Sequence, residues 1–371
     1  MSKKIFIISI MILLVLGICS VALANETYTT TSTINGVIVN WEYELNDSNQ
    51  IENLRCKNPT ELTGNITIPS KLDEKTVVSL ASKAFNSATN ITGVVIPSTI
   101  TKINGEAFYN CNNLTTVDLG KITTVGPNAF KNCEKLTTIT IPKTLVNGPA
   151  WPGSDGVFTG TTNLKNVTFE EGSTIIASGI LNYCKGVTSV QIPNTVTRIG
   201  DYAFANSGLT GIELPNSVKE IYSKAFENCS DLENVNLENV ELIKTEAFAN
   251  CTKLLKVTIL DKCKTIAENV FKNHDEDLTI YCYEDSIAAN YAIKYNIKYV
   301  YLTRPTTDDN TNNEENNNTE KPTNTIIEDN TVASGELPQT GVNMTIIFCL
   351  ISITLVSIVL YKKYRDYKDI K

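Results

Sequence analysis

Histidine is all but missing from this chain of 371 residues: His274 is the only one. Catalytic triads and histidine acid–base relays are therefore largely excluded. The zinc pattern HExxH, the serine elbow GxSxG and the phosphate loop GxGxxG are absent as well. Positive charge is scarce along most of the chain. Residues 25–340 hold 25 Lys and Arg against 38 Asp and Glu, a net charge of −13; the whole-chain value of −8 hides this because the ends carry the basic excess. With no basic stripe, nucleic acid and anionic lipid are set aside as partners. Long apolar runs are confined to the two ends, residues 5–21 and 342–360. Paired carboxylates such as Glu170 with Glu171, or the run Asp275, Glu276 and Asp277, sit in turn-like stretches and read as solvated faces. No catalytic, cofactor-binding or metal-ligating residue is expected.

What the chain does have is a repeat. From about residue 66 to 280 an aromatic anchor preceded by Ala recurs at Phe85, Phe108, Phe130, Phe204, Phe226 and Phe248. Phe158 and Phe271 lack the Ala, and Leu181 stands in for Phe once. Intervals are 22 or 23 residues, apart from 28 between Phe130 and Phe158. Five positions before most anchors lies Leu or a β-branched residue, as at Leu80, Ile103, Val125, Ile199 or Ile243. Six positions after the anchor begins L-x-x-V-x-I, as in Leu232, Val235 and Leu237. The period-two pair makes a short strand with one inward face. A following Pro, as at Pro97, Pro142, Pro193 and Pro215, ends the pairing. One such unit cannot bury its apolar side alone, so the units must stack into a solenoid.

Three positions after the anchors lie Ala88, Cys111, Cys133, Thr161, Cys184, Ser207, Cys229, Cys251 and His274. Nearly all are small, as a position stacked on its own copy in the next repeat requires. Ten cysteines would suggest disulfides if the chain were exported to an oxidising compartment, yet five of them hold this ladder position, which favours buried thiols. A linear ladder does not supply the tetrahedral cluster a metal needs. His274 reads as structural. Cys56, Cys263 and Cys282 are off the ladder, and one bridge among them stays open.

Both ends carry processing signals. Lys3 and Lys4 precede the first apolar run, and Ala22, Leu23 and Ala24 follow it, the pattern of a secretory signal peptide over residues 1–24. Leu337, Pro338, Gln339, Thr340 and Gly341 precede the second run, and Lys362, Lys363 and Arg365 follow it. That run is long enough to cross a bilayer as a helix, and the basic tail would hold its end in the cytoplasm. The three parts in this order resemble the LPxTG cell-wall sorting signal of Gram-positive surface proteins. The resemblance implies that a sortase recognises Leu337 to Gly341 and joins Thr340 covalently to peptidoglycan.

The repeat itself, for example IGDYAFANSGLTGIELPNSVKEI from Ile199 to Ile221, resembles the leucine-rich repeat of the BspA type. The resemblance runs to about residue 302 and takes in the closing segment YCYEDSIAANYAIKYNIKYV, though Cys282 stands where that family mostly has Gly in a turn. A β-rich (α/β) solenoid follows as the expected fold class, with a disordered stalk and a C-terminal transmembrane helix. Its parts are a signal peptide (1–24), an N-terminal β cap (25–65), the solenoid (66–280) and a C-terminal cap (281–302). A Thr/Asn-rich stalk (303–336) and the sorting signal (337–371, transmembrane segment 342–360) complete it. The insertion at residues 147–156 reads as a surface loop. The expected function is a non-enzymatic, cell-wall-anchored surface protein that binds a host, matrix or cell-surface protein or glycan, with adhesion its role. The expected location is secreted and peptidoglycan-anchored, with transient membrane retention before sorting. Two alternatives remain: a structural wall protein without a specific ligand, and, less favoured, a surface carbohydrate-active enzyme.

Overall fold

Alternation of side chains sets the architecture. In the strand Thr138–Ile141 the two threonines are exposed while Ile139 and Ile141 are buried. Asn166–Phe169, its parallel neighbour in the next repeat, does the same. The computed structural model describes residues 26–149 and 155–305. Most repeats in it contribute two short strands, so two parallel ladders run from repeat to repeat, the longer-strand one broken after Thr116–Asp118 and reduced to a Thr168–Gln191 bridge beyond Asn166–Phe169. One ladder carries the L-x-x-V-x-I strands, from Gly64–Thr67 through Ile91–Val95 and onward to Thr279–Cys282 and Lys298–Tyr301. The other carries two-residue strands whose inward member lies five positions before the anchor. Its register is Leu80 to Ile103 to Val125, and later Ile176 to Ile199, Ile221, Ile243 and Ile266. Between these runs the pairing is kept by a bridge from Thr124 to Asn147. Asn147, the first residue of the expected surface loop, therefore belongs to a rung, while residues 150–154 of that loop lie outside the described residues.

The segment around each anchor is a ladder too, although it counts as turn. The amides of Lys224, Phe226 and Asn228 donate to the carbonyls of Thr245, Ala247 and Ala249 one repeat on, at 3.0, 2.8 and 2.8 Å. To aim every second amide along the stack, the residues two before and two after the anchor adopt left-handed backbone. Lys224 and Asn228 have φ of 59° and 60°, and Glu246 and Asn250 have 57° and 61°. That conformation costs a non-glycine residue roughly 1–2 kcal/mol, which the inter-repeat bonds offset.

The anchor rings form two stacks. Phe85, Phe108, Phe130 and Phe158 lie face to face at 5.1, 5.1 and 5.4 Å. Phe204, Phe226, Phe248 and Phe271 follow at 5.3, 5.0 and 5.6 Å. Leu181 interrupts the series, and Phe169 meets Phe204 edge-on there.

Each end of the solenoid is closed by an aromatic turned across the stack. β1 (Tyr28–Ile34) and β2 (Val37–Leu45) form an antiparallel hairpin on an Asn35-Gly36 turn with φ of 49° and 82°, the type I′ geometry that matches strand twist. β3 (Ile51–Cys56) pairs antiparallel with β2 and parallel with Ser79–Leu80, so it converts a hairpin into the ladder. From β2, Trp41 is fully buried with its edge to Phe85. At the far end α1 (Ile287–Tyr295) is capped by the Ser286 hydroxyl, which accepts from the amide of Ala289, and stopped by Asn296 in left-handed conformation. Its Tyr291 meets Phe271 edge-on. The Tyr291 hydroxyl accepts from the amide of Phe271, at 3.4 Å, where no further repeat offers a carbonyl.

The expected fold class is corrected in one respect. Among the described residues no helix is long and apolar enough to cross a membrane. α1, their only α-helix, has nine residues, about 13.5 Å of rise against a core of about 30 Å. The transmembrane helix at 342–360 is withdrawn from the fold, and with it the localisation that ran through transient membrane retention. Residues 342–360 lie outside the described residues, as do the signal peptide and residues 306–336 of the expected stalk. Cys282 is corrected as well: it ends a strand, buried and paired with Tyr301, and is not in a turn.

Candidate binding surface

Buried backbone carbonyls inside a solenoid need donors. The ladder position three after the anchor supplies some of them. Cys111 and Cys133 Sγ donate to the carbonyls of Phe85 and Phe108, at 3.3 and 3.4 Å. Cys229 and Cys251 do so to Phe204 and Phe226, both at 3.1 Å. Thr161 Oγ1 makes the same bond to Phe130 at 2.9 Å. Each side chain is thus a small filler and a donor to a buried carbonyl. Burial pushes these thiols up, Cys229 to about 11 and Cys111 to about 12. All eight described cysteines are free, including Cys56, Cys263 and Cys282. His274 occupies the ladder position but turns its Nδ1 to the carbonyl of Asp275.

A second ladder escaped the sequence reading. Asn182, Asn206, Asn228, Asn250 and Asn273 are joined side chain to side chain, each Nδ2 donating to the Oδ1 of the one before it, at 2.6 to 3.0 Å. Asn132 bonds Asn110 in the same way. The signal was present as an Asn directly before the small ladder residue in most repeats. It went unread because Asn there passes for turn composition.

Outside, the longer-strand ladder presents its polar residues. Thr116, Asp118, Thr138, Thr140, Asn166 and Thr168 make a nearly uncharged exposed row. In the turns around and just after the anchors, ion pairs span repeats, as in Lys253 with Asp231 at 2.7 Å, and Lys224 and Lys272 both on Glu246 at 2.9 and 3.1 Å. Glu246 is lowered, chiefly by its bond to Lys224. The exposed Lys253–Asp231 pair contributes about 0–1 kcal/mol.

The described surface also holds a cleft of about 440 Å³ where the hairpin meets the first repeats, lined by Glu42, Glu44, Asn53, Arg55, Lys102 and Asn104 among others. Arg55 and Lys57 both grip Glu42, at 2.9 and 2.8 Å, and the Lys57 bond leads in holding its carboxyl below the usual range. Among the described residues no group of three His, Cys, Asp or Glu could hold a metal ion. The sorting residues Leu337, Pro338, Gln339, Thr340 and Gly341 lie outside the described residues.

Residues 49–148 and 154–276 match the family model described as the BspA type leucine rich repeat region, in six copies. No curated protein matches the chain. Among solved structures, a leucine rich cell surface protein of Faecalibacterium prausnitzii A2-165 is 24% identical, over 69% of this chain and 76% of its own, with a TM-score of 0.44. The leucine rich repeat protein of T. pallidum is 23% identical over 58% and 87%, at 0.39. A leucine-rich repeat protein of Eubacterium ventriosum is 18% identical over 71% and 80%, at 0.35. Likenesses of this degree carry no argument about function.

Proposed function

This chain belongs to the BspA-type leucine-rich repeat proteins, non-catalytic solenoids of the binding type, and from that premise we propose that it is a surface adhesin of a Gram-positive bacterium. Its outward faces meet a protein or glycan partner, and Thr340 is its point of covalent attachment to peptidoglycan. The observation that carries the binding reading is the separation of duties within each strand. Inward positions are buried and bonded along the stack, so outward positions such as Thr138 and Thr140 carry none of the fold's core. A rigid sheet whose exposed residues are free to vary is suited to recognition. Saturable binding of the full chain to immobilised matrix proteins or glycans is the expected result. Glycan turnover would overturn the non-enzymatic reading, and the lack of any saturable binding would leave a structural wall protein.

The attachment reading rests on the order of Leu337, Pro338, Gln339, Thr340 and Gly341 in the sequence. In a Gram-positive host with an active sortase, muramidase should release wild-type protein bearing wall fragments. Thr340→Ala should lose that pool, because the acyl bond forms at this residue. Equal release from both would sink the assignment of the sorting site and leave the binding reading intact.

A further inference from the structure

The cleft beside the N-terminal hairpin is assembled from three layers of chain. β2 brings Glu42 and Glu44, β3 brings Asn53 and Arg55, and the first repeats bring Ser82, Lys102 and Asn104. Its polar groups are tied into a relay. Asn104 Nδ2 donates to Asn53 Oδ1 at 3.0 Å and to the carbonyl of Leu80 at 2.8 Å, and Asn53 Nδ2 donates to Glu44 at 2.8 Å. Arg55 is held by Glu42 and reaches the carbonyl of Ser82. These bonds fix the side chains before any ligand arrives, which lowers the ordering cost of binding.

Arg55 Nε is buried without a hydrogen-bond partner, and at the rim the Lys102 ammonium, the Ser82 hydroxyl and Asn104 Oδ1 have no hydrogen-bond or ion-pair partner among the described residues. They offer a donor, a donor–acceptor and an acceptor at the rim of one cavity. The cleft sets Glu42 and Glu44 against Arg55 and Lys102, with Lys57 also on Glu42 from outside the lining, so neither sign of charge dominates. An apolar ligand would strip water from these groups without replacing its hydrogen bonds, which disfavours it. The volume falls in the roughly 300–1,000 Å³ range of small-molecule sites.

We propose that this cleft binds a neutral saccharide unit, whose adjacent hydroxyls each donate and accept, through Lys102, Ser82 and Asn104. The inference rests on the binding reading above and names one ligand class and one place for it. The full chain is titrated with lactose, cellobiose and maltose at millimolar concentration, followed by saturation-transfer NMR and calorimetry. At least one disaccharide is expected to bind. Lys102→Met and Ser82→Ala, both at exposed positions, should each weaken it about fivefold or more with an unchanged thermal midpoint. Silence from all three sugars overturns the proposal, even where a matrix protein binds and the general binding reading stands. Sugar binding of equal strength in wild type and both variants overturns it too, by placing the sugar elsewhere.

Discussion

Cys229 shows how much one side chain does in this protein. It fills a position too tight for a larger residue, donates to the carbonyl of Phe204, and accepts or donates at 3.4 Å with Ser207. Because desolvation raises its pKa to about 11, the thiolate is scarce at neutral pH and the sulfur is a poor nucleophile. Iodoacetamide at pH 8 should therefore leave Cys111, Cys133, Cys184, Cys229 and Cys251 unmodified in the folded chain and label all five in denaturant, as read by mass spectrometry. Labelling of the folded protein at these sites would show that the ladder is open. The same shift makes stability depend on pH. An unfolded thiol loses its proton near pH ~8.5, well before the folded one. Above that pH the unfolded state binds fewer protons, so stability is complete below it and falls as pH rises toward the folded pKa. Each such thiol contributes a slope of about 1.4 kcal/mol per pH unit. Thermal melts between pH 7 and 11 should show a shallower decline for Cys229→Ala than for wild type.

Phe226 sits mid-stack, 5.3 Å from Phe204 and 5.0 Å from Phe248. Phe226→Ala removes a fully buried ring from both neighbours and should cost about 3–5 kcal/mol, seen as a lowered thermal midpoint. An unchanged midpoint would mean that the ring stack is not where stability resides.

At the scale of the element, the turn around the anchor is the unusual part. Its left-handed residues aim the amides along the solenoid, and Asn tolerates that backbone better than most side chains. Asn228 also donates to Asn206 and accepts from Asn250. Asn228→Ala loses both bonds and keeps the left-handed φ, so a cost of about 1–3 kcal/mol is expected. Asn228→Gly loses the same bonds but adopts that φ freely, so denaturant melts should place it between Ala and wild type. Equal losses for the two would show that φ at this position is not strained.

At the scale of the whole molecule, the backbone ladders join each repeat to its immediate neighbours, so stability is approximately a sum over repeats and interfaces. Removing residues 222–243, one complete period, joins Ile221 to Lys244 in the old register and carries Phe248 to the place of Phe226. That variant should fold, with a single cooperative melt at a modestly lower midpoint. Removing half as many residues puts outward side chains inward and should abolish the cooperative transition. A cooperative melt for the half-period deletion would contradict the stacked-repeat account.

Much of this was legible in the chain. Spacing alone marked the buried anchors from Phe85 to Phe271 and the inward residues five before them. These features are local and periodic, and a core that repeats every 22 or 23 residues writes its period into the sequence. Other features exist only between repeats. The thiol-to-carbonyl and Asn-to-Asn bonds join residues 22 to 26 apart, and composition cannot tell a bonded Asn from a turn Asn. Cys56 reads as an unplaced cysteine, yet its amide donates to the carbonyl of Ala84 as an anchor's would, with Trp41 supplying the missing ring. The cleft was invisible for the same reason. Its groups come from residues 42 to 104, brought together where β3 exchanges an antiparallel partner for a parallel one. The one-dimensional repeat thus determined which residues face inward, while strand exchange at the cap and bonding along the stack decided which polar groups remain free to meet a ligand.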